Sequence, residues 1–96
     1  MKKIIAEVIG PDPPCVNCTA VKRNVEAVAK KLADEGIEVE IERRNIVSEE
    51  VIQKYGILFS PALAVNGVVK IMGKVPDVRM VERLIREALE GGAYGD

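Results

Sequence analysis

Ile4-Ile5-Ala6-Glu7-Val8-Ile9-Gly10-Pro11-Asp12-Pro13-Pro14-Cys15-Val16-Asn17-Cys18 is the stretch that decides how this chain is read. Ile4 to Ile9 is a short, mostly apolar run closed by Gly10, the pattern of a buried strand. Pro11, Pro13 and Pro14 fix φ and withhold donors, so the following segment is a stiff loop. Cys15 and Cys18 then open an amphipathic helix, and they are the only cysteines in the chain. A strand that hands two thiols to a helix N-terminus puts them where backbone N–H groups and the helix dipole favour negative charge.

Working outward, Val21, Val25, Val28 and Leu32 recur at steps of four and three, with Ala29 widening the stripe, and Gly36 offers a left-handed C-cap. Ile37, Val39 and Ile41 alternate with Glu38, Glu40 and Glu42, which reads as a half-exposed strand whose glutamates discourage edge pairing. Ser48 is an N-cap candidate for a short helix that carries Glu49 and Glu50 in its first turn and reaches Tyr55 before Gly56. Ala62–Val65 and Val68–Met72 flank Asn66-Gly67, a strong type I′ hairpin signal. Pro76 and Asp77 open a last helix with Val78, Val81, Leu84, Ile85, Ala88 and Leu89 as its buried stripe, stopped by Gly91-Gly92. The order is β-α-β-α-β-β-α. A helical crossover makes the first two strands parallel and right-handed, and the last two form an antiparallel hairpin. The expected fold is α/β: a four-stranded mixed sheet with helices on both faces, in one domain over residues 1–96, with 91–96 as a flexible tail.

The bulk properties agree. Ninety-six residues, 48% hydrophobic and 30% charged, describe a small globular domain that can bury roughly 60–65% of its unfolded surface. Net charge is −1 and aromatic content is 3%, so there is neither a basic patch nor a set of stacking platforms for nucleic acid. The start, Met1-Lys2-Lys3-Ile4-Ile5, is charged like a signal peptide, but its apolar run is broken by Glu7 and is too short for an h-region. No stretch approaches the ~20 apolar residues of a membrane span. The expectation is a cytoplasmic monomer. In a reducing compartment two cysteines at this spacing point to catalysis or metal binding rather than to a structural disulfide.

With these features together the chain resembles the thioredoxin-like superfamily, in particular its small archaeal and bacterial redox-active disulfide proteins. Cys15-Val16-Asn17-Cys18 after the first strand, Ser60-Pro61 before the hairpin, and the element order carry the resemblance. So does the run Ser60-Pro61-Ala62-Leu63-Ala64-Val65-Asn66-Gly67 followed by Gly73. Lacking the extra N-terminal strand and helix of full thioredoxins, the layout is glutaredoxin-sized. The resemblance implies a thiol–disulfide oxidoreductase without a cofactor, acting on disulfide-containing proteins and supplied with electrons by a reductase. It also implies a cis bond at Ser60-Pro61, with the Ser60 backbone free to pair with an extended substrate. The residues alone leave open that Pro61 merely starts an edge strand.

Beside the resemblance stands a physical reading of the thiols. A free thiol has a pKa near ~8.5, and a helix N-terminus lowers it. Cys15, nearest the loop, is the expected exposed nucleophile. Cys18, three residues on, begins the stripe continued by Val21, so it is expected to be buried and to resolve the mixed disulfide.

Several positions depart from the superfamily's pattern. Val16-Asn17 is neither the Gly-Pro of thioredoxins nor the Pro-Tyr of glutaredoxins, and no tryptophan precedes Cys15. Glu7 is the nearby candidate for the buried acid that thioredoxins place beneath the resolving thiol, although a strand-end carboxylate is expected to reach solvent. Lys22 and Arg23 are expected on the solvated helix face. Gly73 and Asp77 are a partial match to the glutathione turn of glutaredoxins, but no basic residue lies between Gly10 and Cys15, and Asp77 is more simply a helix cap.

Two other functions compete. A C-x-x-C also clamps zinc or copper(I), but with no histidine and no second cysteine pair one chain cannot complete a four-ligand N/S site, whereas a dimer could. Small copper chaperones have β-α-β-β-α-β order and a methionine where Pro14 stands. A redox-inactive binding module is the other rival, and the intact cysteine pair argues against it.

Overall fold

The computed structural model describes residues 2–13 and 15–91. Its elements are β1 (Lys2–Gly10), α1 (Val16–Ala33), β2 (Ile37–Asn45), α2 (Glu49–Tyr55), β3 (Ala62–Val65), β4 (Val68–Met72) and α3 (Val78–Gly91). Four strands form one mixed sheet in the order β2-β1-β3-β4, with β1 parallel to β2 and antiparallel to β3. Element order, strand pairing and the hairpin are as the sequence predicts.

Alternation along β1 builds the two layers. Ile4, Ala6 and Val8 face one side, where α1 contributes Val21, Val25, Val28 and Leu32 and α3 contributes Val81, Leu84 and Ile85. Ile9 faces the other side with Ala62, Ala64 and Val51, so α2 covers that face with Tyr55 and Leu58 packed against it. Side chains buried as fully as Val25, Val28, Leu32 and Ile85 each contribute ~1.5–3 kcal/mol of burial free energy. One member of the expected α3 stripe is misplaced. Val78 is exposed, because it sits in the first turn, N-terminal to Val81, the first α3 residue to enter the core.

Local chemistry explains the boundaries. Ser48 caps α2 by accepting from the Val51 N–H, and Asp77 caps α3 by accepting from the Met80 N–H at 2.8 Å. Asn66 and Gly67 both take positive φ (50° and 83°), as a type I′ turn requires. The Asn66 amide oxygen also accepts from the Ile5 N–H at 2.9 Å, which ties the hairpin tip to β1. On β4 a register shift opposite Leu63/Ala64 leaves Lys70 as an extra residue, the kind of irregularity that protects a sheet edge. The other edge, β2, carries Glu40 in an ion pair with Lys3 at 2.8 Å. Of the tail expected over 91–96, Gly91 instead closes α3, its backbone still in the helix, and residues 92–96 lie outside the described residues.

This topology positions the site. The C-terminal end of β1, the N-terminus of α1 and the loop that enters β3 converge at one end of the sheet, because Ile9 pairs with Ala62.

Candidate active site

Cys15 is the N-cap of α1. Its extended backbone (φ −79°, ψ 172°) turns the side chain back over the first turn, and Sγ accepts the Cys18 N–H at 3.3 Å. A sulfur thus takes the place of the usual capping oxygen. Cys18 lies one turn on, buried to 3% exposure, while Cys15 is partly exposed. The two sulfurs are 2.9 Å apart, so one thiol hydrogen-bonds the other.

Ser60 closes the site from the loop before β3. The Ser60-Pro61 bond is cis, as the resemblance implies, and Pro61 is buried with its carbonyl accepting from the Gly73 N–H at 2.8 Å. The Ser60 backbone lies outside the β3 ladder, which starts at Ala62. Its hydroxyl is 3.4 Å from the Cys18 sulfur and 3.9 Å from that of Cys15.

This arrangement holds the Cys15 thiol below its ordinary pKa. The largest contribution is the hydrogen bond from the Cys18 side chain, then the Cys18 backbone N–H, and these outweigh desolvation with help from Ser60 and the Asn17 N–H. Lys22 and Arg23 take no part: among the described residues neither hydrogen-bonds a sulfur.

Glu7 is not where a thiol-linked acid would stand, and it does not reach solvent either. It is 5% exposed and lies on the α2 face of the sheet. Its carboxylate accepts from the Tyr55 hydroxyl and from Arg44 Nε at 3.0 Å, with Lys54 at 3.9 Å; Arg44 also pairs with Glu42. Burial alone would raise the Glu7 pKa, but the bonds to Tyr55 and Arg44 overcome it and hold the carboxyl below its ordinary value. Burial, then the bond to Glu7, pushes the Tyr55 hydroxyl well up, so it stays protonated. Ionised glutamate and neutral tyrosine form one satisfied network across the sheet from the thiols.

Two contributors escape a reading of the sequence. A Cβ built on Gly10 would stand 2.3 Å from Cys18 Sγ and 3.4 Å from Cys18 Cβ, so only glycine leaves room for the Cys18 sulfur where it sits at the end of β1. The signal was present, a glycine ending the strand before the cysteines, but strand termination accounts for it equally well. The Ser60 hydroxyl is the second, since the sequence argument concerned its backbone.

Two thiolates are half a tetrahedral metal site. Among the described residues no group of three or more His, Cys, Asp or Glu side chains is placed to hold an ion, and no helix is long and apolar enough to cross a membrane.

Comparison with known proteins agrees with the geometry. A sequence model of the thioredoxin domain matches residues 4–86. A thioredoxin of Methanocaldococcus jannaschii is 33% identical over 85 residues, covering 88% of this chain and 95% of that protein. A thioredoxin of Methanothermobacter thermautotrophicus is 32% identical over 71 residues, covering 74% and 86%. With its mixed sheet, its strand-to-helix thiol pair and these matches, the chain belongs to the thioredoxin family, whose chemistry is thiol–disulfide oxidoreduction.

Proposed function

We propose that this protein reduces protein disulfides through a Cys15/Cys18 dithiol–disulfide cycle. The observation that carries the reading is the asymmetry of the pair. Cys15 is partly exposed, with its sulfur on the Cys18 N–H, whereas Cys18 is buried 2.9 Å behind it. The Cys15 thiolate attacks one sulfur of a substrate disulfide, and the other sulfur leaves with the electron pair and takes a proton. Cys18 then attacks Cys15 Sγ, releasing the second substrate thiol and leaving a Cys15–Cys18 disulfide. Two electrons and two protons have passed to the substrate, and a dithiol reductase returns the protein to its starting state. One chain carries both thiols, so the cycle requires no second copy.

The substrate reaches Cys15 as an extended segment lying along Ser60, whose backbone sits beyond the β3 ladder and is available to a added strand. Val16 and Phe59, 84% and 71% exposed, flank the cysteine and the serine. They offer apolar contacts to such a segment.

Trapping tests this. Cys18→Ser should accumulate a mixed disulfide through Cys15 with a disulfide-bearing protein such as insulin, while the wild type should reduce insulin with dithiothreitol as donor. In the reduced wild type, Cys15 should alkylate before Cys18 at neutral pH. Faster alkylation of Cys18, or no adduct on the Cys18→Ser variant, would refute the assignment.

A further inference from the structure

Resolution needs a proton to leave Cys18 as its sulfur attacks, and Cys18 is closed off from water at 3% exposure. No charged side chain among the described residues hydrogen-bonds either sulfur. The buried carboxylate of β1, Glu7, faces α2 and is engaged by Tyr55 and Arg44. On β1 the residue that meets Cys18 is Gly10, which brings no side chain, and on α1 the neighbour is Cys15 itself. Among the described residues one other polar side chain touches the Cys18 sulfur: the Ser60 hydroxyl, 3.4 Å away, on a residue that is itself exposed.

We propose that the Ser60 hydroxyl is a catalytic residue of the resolving step, relaying the Cys18 proton to the departing substrate sulfur. The inference rests on the disulfide-reducing cycle above. As Cys18 Sγ bonds to Cys15 Sγ, the bond between Cys15 and the substrate sulfur breaks and its electron pair leaves with that sulfur. The Cys18 proton passes to Ser60 Oγ, and the hydroxyl's own proton passes to the leaving thiolate. Charge and atoms balance within the mixed disulfide, and no outside base is consumed. The hydroxyl also lies 3.9 Å from Cys15 Sγ, the atom to which the departing sulfur is bonded, so one group spans both ends of the transfer. Gly10 serves the relay indirectly, since a side chain there would push Cys18 Sγ off its seat.

The test separates attack from resolution. Reduced protein is mixed rapidly with saturating hydroxyethyl disulfide, quenched in acid, and followed by mass as the Cys15 adduct forms and decays to the internal disulfide. Ser60→Ala should slow adduct decay about 100-fold at neutral pH, the low end for positioned proton transfer, and Ser60→Thr should restore it. At pH 10, where hydroxide ionises thiols unaided, the deficit of Ser60→Ala should nearly vanish. A merely structural serine would slow decay equally at both pH values, and that result overturns the relay. So does wild-type decay in Ser60→Ala, or failure of Ser60→Thr to restore the rate. If the wild type itself forms no adduct or never closes its disulfide, the proposed function fails and takes the relay with it.

Discussion

Replacing Gly10 with alanine isolates the seat of the buried Cys18 sulfur. Gly10 does not have positive φ, so alanine suits its backbone and the perturbation is steric alone. The new methyl would stand 2.3 Å from Cys18 Sγ, more than an ångström inside the ~3.5–4.0 Å at which heavy atoms pack. It would also lie 3.4 Å from Cys18 Cβ and 3.5 Å from Ser60 Oγ. The last two are ordinary packing distances, so the strain falls on the sulfur, and relief requires the Cys18 side chain to swing Sγ away within a buried site. Overpacking of this kind costs about 1–3 kcal/mol, or roughly 4–24 °C in Tm for a domain this small.

Any relief must carry Cys18 Sγ away from its place, and with it the hydrogen bond that contributes most to lowering the Cys15 pKa. Gly10→Ala should therefore lower the urea midpoint of the reduced protein and move the pH midpoint of Cys15 alkylation upward. The assay is iodoacetamide labelling across pH 5–10 with peptide mass mapping, next to urea unfolding of the same sample. A variant that lost stability but kept the wild-type alkylation midpoint would break the proposed link between seat and thiolate. Unchanged stability would refute the steric argument itself.

The Glu7 network and the hairpin make separate predictions. Glu7→Gln leaves Tyr55 and Arg44 facing an amide instead of a carboxylate and should cost about 2 kcal/mol at neutral pH; a charge-assisted bond is worth ~1.5–3 kcal/mol, and Arg44 is partly exposed. Because the folded pKa of Glu7 is depressed, its contribution is fully present above the ordinary glutamate range and is lost as pH falls through the folded value. The gap between wild type and Glu7→Gln in urea titrations should thus close on acidification, and a gap that widened would reverse the sign of the argument. Gly67→Ala, at φ 83°, should cost ~1–2 kcal/mol by thermal unfolding without changing the Cys15 alkylation midpoint, because the hairpin tip lies at the far end of β3 from the thiols. A shift in that midpoint would tie the tip to the site.

Much of the fold is legible because local rules and tertiary packing agree. The Asn66-Gly67 turn needs positive φ at both positions, and the alternation along Ile37–Ile41 admits only a strand with one face outward. The α1 stripe from Cys18 to Leu32 is buried as its spacing requires. Val78 is the exception on α3: periodicity places it on the apolar face but cannot tell where along that face the helix leaves the sheet. In the site, spacing and helix position were enough to assign different exposures to Cys15 and Cys18. Which loop residue would touch the sulfurs was not readable, since Ser60 lies 42 residues from Cys18 and meets it only through the pairing of Ile9 with Ala62.

Glu7 shows what was missing. An acid on the strand that precedes a C-x-x-C invites a role beneath the resolving thiol, but a strand offers each face only alternate residues. Gly10 stands against Cys18 and is three positions from Glu7, an odd step along an unbroken nine-residue strand, so the two must look to opposite faces. The three prolines conceal which β1 residue meets the helix, and without that contact the parity cannot be assigned. Once Gly10 is placed, Glu7 is committed to the α2 side, where an ionised carboxylate persists because Tyr55 and Arg44 satisfy it. Among the described residues the thiol side then offers a hydroxyl and no hydrogen-bonded acid, and proton handling there becomes a question about Ser60.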